Sequence, residues 1–154
     1  MKVSKEDAGE ISRIVWYPSS GDTQPQLCYA KSVRKGGSIL AHRHVVERML
    51  GKKLTSSEFV DHRNRDPLDN RRINLRVCTL SQNGANKTIS SRNTSGFKGV
   101  SYCSQTKQWR ATITLEGNVI RIGRFQRPEV AGWYYDQYAV QLFGDFAVLN
   151  FEYR

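Results

Sequence analysis

Residues 87–95 offer a core only one large apolar side chain, Ile89, set among Ser, Thr, Asn, Arg and Lys. Such a tract cannot bury enough apolar surface to offset the entropy of ordering it. A chain of 154 residues fits one domain or two small ones. A tract of this composition reads as a linker, which favours two small domains on either side of it. We place the linker at residues 88–94, between domains at 1–87 and 95–154. Domains of that size build modest cores, so each gains from a bound partner, metal or polyanion.

The first domain shows several periodicities. Residues 11–17 are β-branched and aromatic up to Pro18, residues 19–22 read as a turn, and residues 27–33 as a second strand; Lys35, Gly36 and Gly37 close this hairpin. Leu40, Val45, Val46, Met49 and Leu50 fall at helical spacing within residues 39–50, and Gly51 stops the helix. Phe59 and Val60 form a short strand that leads into Asp61 and His62. A polar loop covers residues 63–72, an apolar run follows at 73–77, and Thr79 or Ser81 caps a helix through residues 82–86.

Beyond the linker the period changes to two. Residues 97–102, 109–115 and 119–125 alternate apolar with polar, separated by turn-forming residues 104–107 and 116–118. Pro128 then opens a helix that Gly144 ends. The expected fold class is α+β, with a three-stranded antiparallel meander packed on one helix at the C-terminal end. Alternation turns Trp109, Ala111, Ile113, Ile120 and Ile122 toward that helix and Arg110, Thr112, Thr114 and Arg121 away from it. Trp109, Trp133, Tyr134 and Tyr135 are expected in the core.

Charge narrows the partners. The formal net charge is +10 and the pI about 9.8. Lys and Arg outnumber Asp and Glu by 16 to 9 before residue 88 and by 8 to 5 after it. Both halves are basic, which suits a polyanion lying along the whole molecule better than a basic tail. Cys28, Cys78 and Cys103 are odd in number and widely spaced, so neither a disulfide framework nor a Cys-rich zinc site is expected. No run approaches the ~18 apolar residues of a membrane helix, and the first residues lack the apolar stretch of a signal peptide. The expected setting is cytoplasmic, that of a bacterial host if the gene is borne by a phage or intron.

Asp61 and His62 are the chemical centre. A carboxylate can hold a hard divalent cation, and the neighbouring imidazole can take a proton from water at neutral pH. The run from Val60 through Arg76 has Asp61, His62, Asn64, Asp66, Asp69, Asn70, Arg71, Asn74 and Leu75 at fixed spacing, followed by Thr79, Gln82 and Asn83. It resembles the HNH endonucleases of phages and introns, whose pattern reads V-D-H-x-N-G-D-x-x-D-N-R-x-x-N-L-R and then T-x-x-Q-N. His42 and Arg43 resemble that family's entry segment, so the likeness covers residues 39–87. It implies a ββα-metal nuclease module and a metal-dependent, homing-type DNA endonuclease that nicks or cuts both strands. It further implies Asp61 and Asn83 as ligands of one divalent ion, His62 as general base, and Asn74 as the residue that holds the loop and orients His62. An amide oxygen in place of a second His favours Mg²⁺ or Mn²⁺ over Zn²⁺. Arg65 stands where the family commonly has Gly. If that position needs a positive φ, Arg is strained there. Arg63, Arg65, Arg71, Arg72 and Arg76 are the expected DNA contacts of this module, and residues 1–38 are expected to extend it toward DNA. His42 and His44 read as a cap or packed residues, and Asp69 with Asn70 as an Asx-turn.

In the second half, Ser95 to Val100, Trp109 to Ala111, Gly123 to Phe125, Pro128 to Ala131, Tyr135-Asp136 and Ala147 to Phe151 resemble the APETALA2/ethylene-response-factor DNA-binding domain. That likeness implies a sheet laid in the major groove of double-stranded DNA. The matching positions are Lys98, Ser101, Cys103, Gln105, Thr112, Thr114, Val119 and Arg121, with Lys107 and Arg110 as local substitutes. Most of the family's own Arg and Trp contacts are absent, so phosphate contacts should outweigh base readout. The alternative reading is a non-catalytic DNA-binding regulator on a degenerate nuclease fold. RNA cleavage fits the basic surface, but less well the likeness to a duplex-DNA reader.

Overall fold

The computed structural model describes residues 1–19, 28–35 and 37–153. They fall into two compact units, Met1–Thr79 and Leu80–Arg154. The α+β class is as expected.

The first unit begins with a two-residue strand β1 (Lys2–Val3) and helix α1 (Lys5–Ile11). Strands β2 (Tyr17–Ser19), β3 (Tyr29–Arg34) and β4 (Gly37–Leu40) form an antiparallel sheet in that order. Helix α2 (Ala41–Leu50) follows and ends at Gly51, whose φ of 65° is the left-handed cap that Gly adopts without steric cost. Strand β5 (Phe59–His62) pairs antiparallel with β7 (Leu75–Cys78), and the loop between them carries β6 (Asp69–Asn70) and a 3-10 turn at Arg72–Asn74. Val45 and Val46 of α2, both fully buried, centre a core with Ile11, Leu54 and Leu75.

Two expectations are corrected in this unit. Residues 11–17 do not form one strand: Ile11 closes α1, and only Tyr17 continues into β2. The helix is held by a contact remote in sequence. Asp7, with no exposed surface, accepts from Arg72 Nε and Nη2 at 2.7 and 2.8 Å and lies 3.5 Å from Arg48 Nε. Those guanidinium groups hold its carboxyl below the usual carboxylate range. Trp16 donates its indole hydrogen back to the Ile11 carbonyl at 3.0 Å and so completes the packing. The second correction is the start of α2. Ile39 and Leu40 pair with Ser32 and Lys31 of β3, so the sheet claims them and the helix begins at Ala41. Most of the turn expected at 19–22, the start of the strand expected at 27–33, and Gly36 of the expected closing turn lie outside the described residues.

In the second unit, helix α3 (Leu80–Ala85) precedes the meander β8 (Val100–Cys103), β9 (Gln108–Leu115) and β10 (Asn118–Phe125). Helix α4 (Pro128–Phe143) packs on that sheet, with Pro at its first turn and Gly144 at its cap. Glu116 and Gly117 join β9 to β10 with φ of 50° and 81°, the two positive values that a tight two-residue hairpin requires. Ala85, Ile113, Tyr135, Ala139 and Phe143 form one core cluster; Val100, Ala111 and Ala131 form another. Gly99 permits this packing, because a Cβ there would meet the Tyr135 ring at 2.1 Å. The Lys98 ammonium donates to the carbonyls of Ala85 and Lys87, which ties the segment after α3 to the sheet's first strand.

Candidate active site

Asp61 and His62 are the last two residues of β5 and both are buried. Successive residues of a strand face opposite ways, so the two side chains meet different neighbours. Asp61 lies across the ladder from Arg76, whose Nε and Nη2 each sit 2.8 Å from Asp61 Oδ2. The His62 ring packs edge-on to His42 of α2 with centroids 5.2 Å apart, and lies 6.1 Å from the ring of Tyr29 on β3. Tyr29 and His42 are themselves edge to face at 5.1 Å. Burial first, then the nearby His62 and Arg43, pushes the His42 imidazole down to about 3, so it is neutral at physiological pH. Burial, then the Asp61 charge, raises the Tyr29 phenol.

The loop after β5 is shaped by short polar side chains. Asn64 Oδ1 accepts from the Asp66 amide at 2.9 Å, and Asp66 Oδ1 from the Leu68 amide at 3.0 Å, a succession of Asx-turns. Asn74, buried at the end of the loop, pins it: its Oδ1 accepts from the Asn64 amide at 3.0 Å and its Nδ2 donates to the Asp69 carbonyl at 2.7 Å. The side chain that meets the His62 ring is a different one, Asn70, whose Oδ1 is 3.1 Å from His62 Nε2. Arg65 closes the first turn by donating its amide to the His62 carbonyl at 2.9 Å, with φ at 63°. The position does need a left-handed backbone, and Arg occupies it against a penalty of about 1 kcal/mol. Arg65→Gly is therefore expected to raise the stability of the first unit by ~0.5–1 kcal/mol, read as a higher urea midpoint. A lower midpoint would show that the Arg65 side chain holds the turn.

The candidate DNA contacts divide by environment. Arg63 and Arg65 are exposed on the loop. Arg71 is exposed but grips Asp69 through Nε and Nη2 at 2.7 and 2.6 Å, and Arg72 is engaged by Asp7. Arg76 is buried against Asp61, so its guanidinium stabilises the site from within and does not present itself to a ligand. In the second unit Arg110, Thr114 and Arg121 are exposed, Thr112 is half-buried, and Lys107 sits at a φ of 53° in the turn before β9. Lys98 is occupied by the two carbonyls already described. Asn83 is half-buried on α3 in the second unit. Trp133 and Tyr134, expected in the core, are 45% and 41% exposed. Sixteen residues of α4 offer the sheet only one face, and Ala131, Tyr135 and Ala139 take it.

The model of a family described as HNH endonuclease matches residues 40–85, the span of α2, the β5–β7 pair and α3. An uncharacterised HNH endonuclease of Acanthamoeba polyphaga mimivirus is 32% identical over 114 residues, covering 74% of this chain and 58% of the relative. Protein 3.8 of Escherichia phage T7 is 34% identical over 89 residues, covering 58% of this chain and 73% of the relative. The chain belongs to the HNH endonuclease family. It spans little more than half the length of the mimivirus relative. No solved structure matches it. Among the described residues of this HNH-family chain no helix is long and apolar enough to cross a membrane.

Tyr29, Asn70 and Arg124 escape the sequence reading. Asn70 had a signal, since it belongs to the motif, but an Asx-turn accounts for an Asp-Asn pair equally well. Tyr29 had none, because it reaches His62 from β3, far along the chain. Arg124 lies directly across the ladder from Arg110, two like charges side by side on the exposed face. Only the strand register places them together.

Proposed function

We propose that this nuclease hydrolyses phosphodiester bonds of double-stranded DNA, with His62 as general base and Asp61 and Asn83 as ligands of one divalent metal ion. The observation that carries the reading is the buried pair at the end of β5, a carboxylate and an imidazole on adjacent residues within the family's motif. The donors suit a hard cation such as Mg²⁺ or Mn²⁺, since both are oxygens and neither is a thiolate. Arg76 engages Asp61 through Oδ2 and holds the carboxylate in place at the end of β5. Two protein ligands would leave positions of such an ion open to water and phosphate oxygens; among the described residues no three His, Cys, Asp or Glu side chains form a metal cluster.

In this reading His62 takes the proton from the attacking water, while Tyr29 and His42 wall the imidazole on its protein side. When bound, the cation supplies charge stabilisation at the scissile phosphate and the departing 3′ oxygen. The second unit acts as the tethered binder, in keeping with its likeness to the APETALA2-type domain. Arg110, Arg121 and Arg124 on the exposed sheet face attract the phosphate backbone, and a DNA strand relieves the repulsion between Arg110 and Arg124. Tethering concentrates a weakly specific cutter near its target, as homing-type cleavage requires.

A supercoiled-plasmid assay tests the proposal. Purified protein should convert plasmid to nicked or linear form with Mg²⁺ or Mn²⁺, lose that activity in EDTA, and lose it again in Asp61→Ala. Cleavage that persists in EDTA would overturn the metal assignment. Tight binding with no cleavage under any metal would leave a DNA-binding regulator instead.

A further inference from the structure

We infer that Asn70 is a positioning residue that selects one tautomer of His62, with the hydrogen on Nε2, and so assigns Nδ1 as the nitrogen that takes the proton from water. The inference rests on the reading of His62 as general base and adds which of its atoms acts. Asn70 has no exposed surface, and its Oδ1 stands 3.1 Å from His62 Nε2. An amide oxygen can only accept, so the ring nitrogen facing it must carry hydrogen. A neutral imidazole has one N–H, which leaves the lone pair on Nδ1.

The contact does not follow from packing. Asn70 Nδ2 is buried without a hydrogen-bond partner among the described residues. Such an orphan is unfavourable, and a Leu of nearly the same volume would carry none. An amide kept here despite that penalty acts through its oxygen. Its backbone is held on both sides. Residue 70 pairs with Val3 of β1, and the preceding Asp69 is fixed at its carbonyl by Asn74 and at its carboxylate by Asn64 and Arg71. Tyr29 and His42 flank the ring and oppose the rotation that would exchange Nδ1 with Nε2.

The test is a long-range ¹H–¹⁵N spectrum of the full chain labelled in its histidines. The chain has 3 His, so the ring signals are few. Those lost in His62→Gln belong to residue 62. In its neutral form wild-type His62 should show the pure Nε2–H tautomer. Asn70→Ala should shift it to a mixture of tautomers and lower kcat about 10- to 100-fold, with DNA affinity unchanged. Asn70→Asp, which keeps an acceptor, should restore the Nε2–H form and most of the rate. A wild-type ring protonated on Nδ1 overturns the inference, as does an Asn70→Ala spectrum identical to wild type. The wild-type spectrum needs neither activity nor a stable variant. If His62→Ala still cleaves, only the general-base reading falls, and the tautomer result stands apart from it.

Discussion

His62→Ala is expected to cut DNA about 10³-fold more slowly than the wild-type protein while binding it equally well. A positioned general base contributes about 10²–10⁴ in rate, and the remaining charge stabilisation at the phosphate leaves residual cleavage. Affinity should survive because the ring is only 6% exposed and presents little surface to a duplex. In the proposed reading, binding falls instead to arginines that the structure leaves exposed, such as Arg63, Arg65, Arg110 and Arg121. Single-turnover cleavage of a plasmid measures the rate, and filter binding without divalent metal measures the affinity. Cleavage at the wild-type rate would remove His62 from the mechanism. A parallel loss of binding would assign it to substrate contact instead.

Asp136→Ala is expected to destabilise the second unit by ~4 kcal/mol, enough to threaten its folding. The Asp136 carboxylate has no exposed surface and accepts from the amides of Asn150 at 2.8 Å and Phe151 at 3.0 Å, from Asn150 Nδ2 at 3.0 Å and from the Tyr153 hydroxyl at 3.0 Å. Removing it deprives four half-buried or exposed donors of their shared acceptor, at about 1–3 kcal/mol for each that water does not reach. It also frees the closing segment at Ala147 to Phe151, whose Asn150 Oδ1 caps the Lys98 amide at 2.6 Å. A unit of this size has roughly 4–11 kcal/mol in total. Urea unfolding followed by circular dichroism should show an early transition for the second unit. A midpoint unchanged from wild type would mean that water replaces the carboxylate at little cost.

The fold and the candidate site were legible to different depths. The meander and α4 could be read because their signals are local: alternation with period two, a hairpin turn at Glu116-Gly117, Pro128 at the helix start and Gly144 at its end. Helix α1 could not, since Asp7 is anchored by Arg72 and Arg48 from much later in the chain. The same distance in sequence hid Tyr29. Trp133 and Tyr134 were placed in the core by their apolar character, yet a helix on one sheet buries only one side.

Sequence alone determined which chemistry this protein can carry: an adjacent carboxylate and imidazole in a spaced motif, oxygen ligands for a hard cation, and basic halves suited to a polyanion. Those properties reside in residue types and their order along the chain. The tertiary structure decided which groups meet His62, namely Asn70 at Nε2 and the rings of Tyr29 and His42, and that Arg76 turns inward to Asp61. Strand register and helix packing bring residues from separate elements within ångströms of one another, and a hydrogen bond acts only at that range.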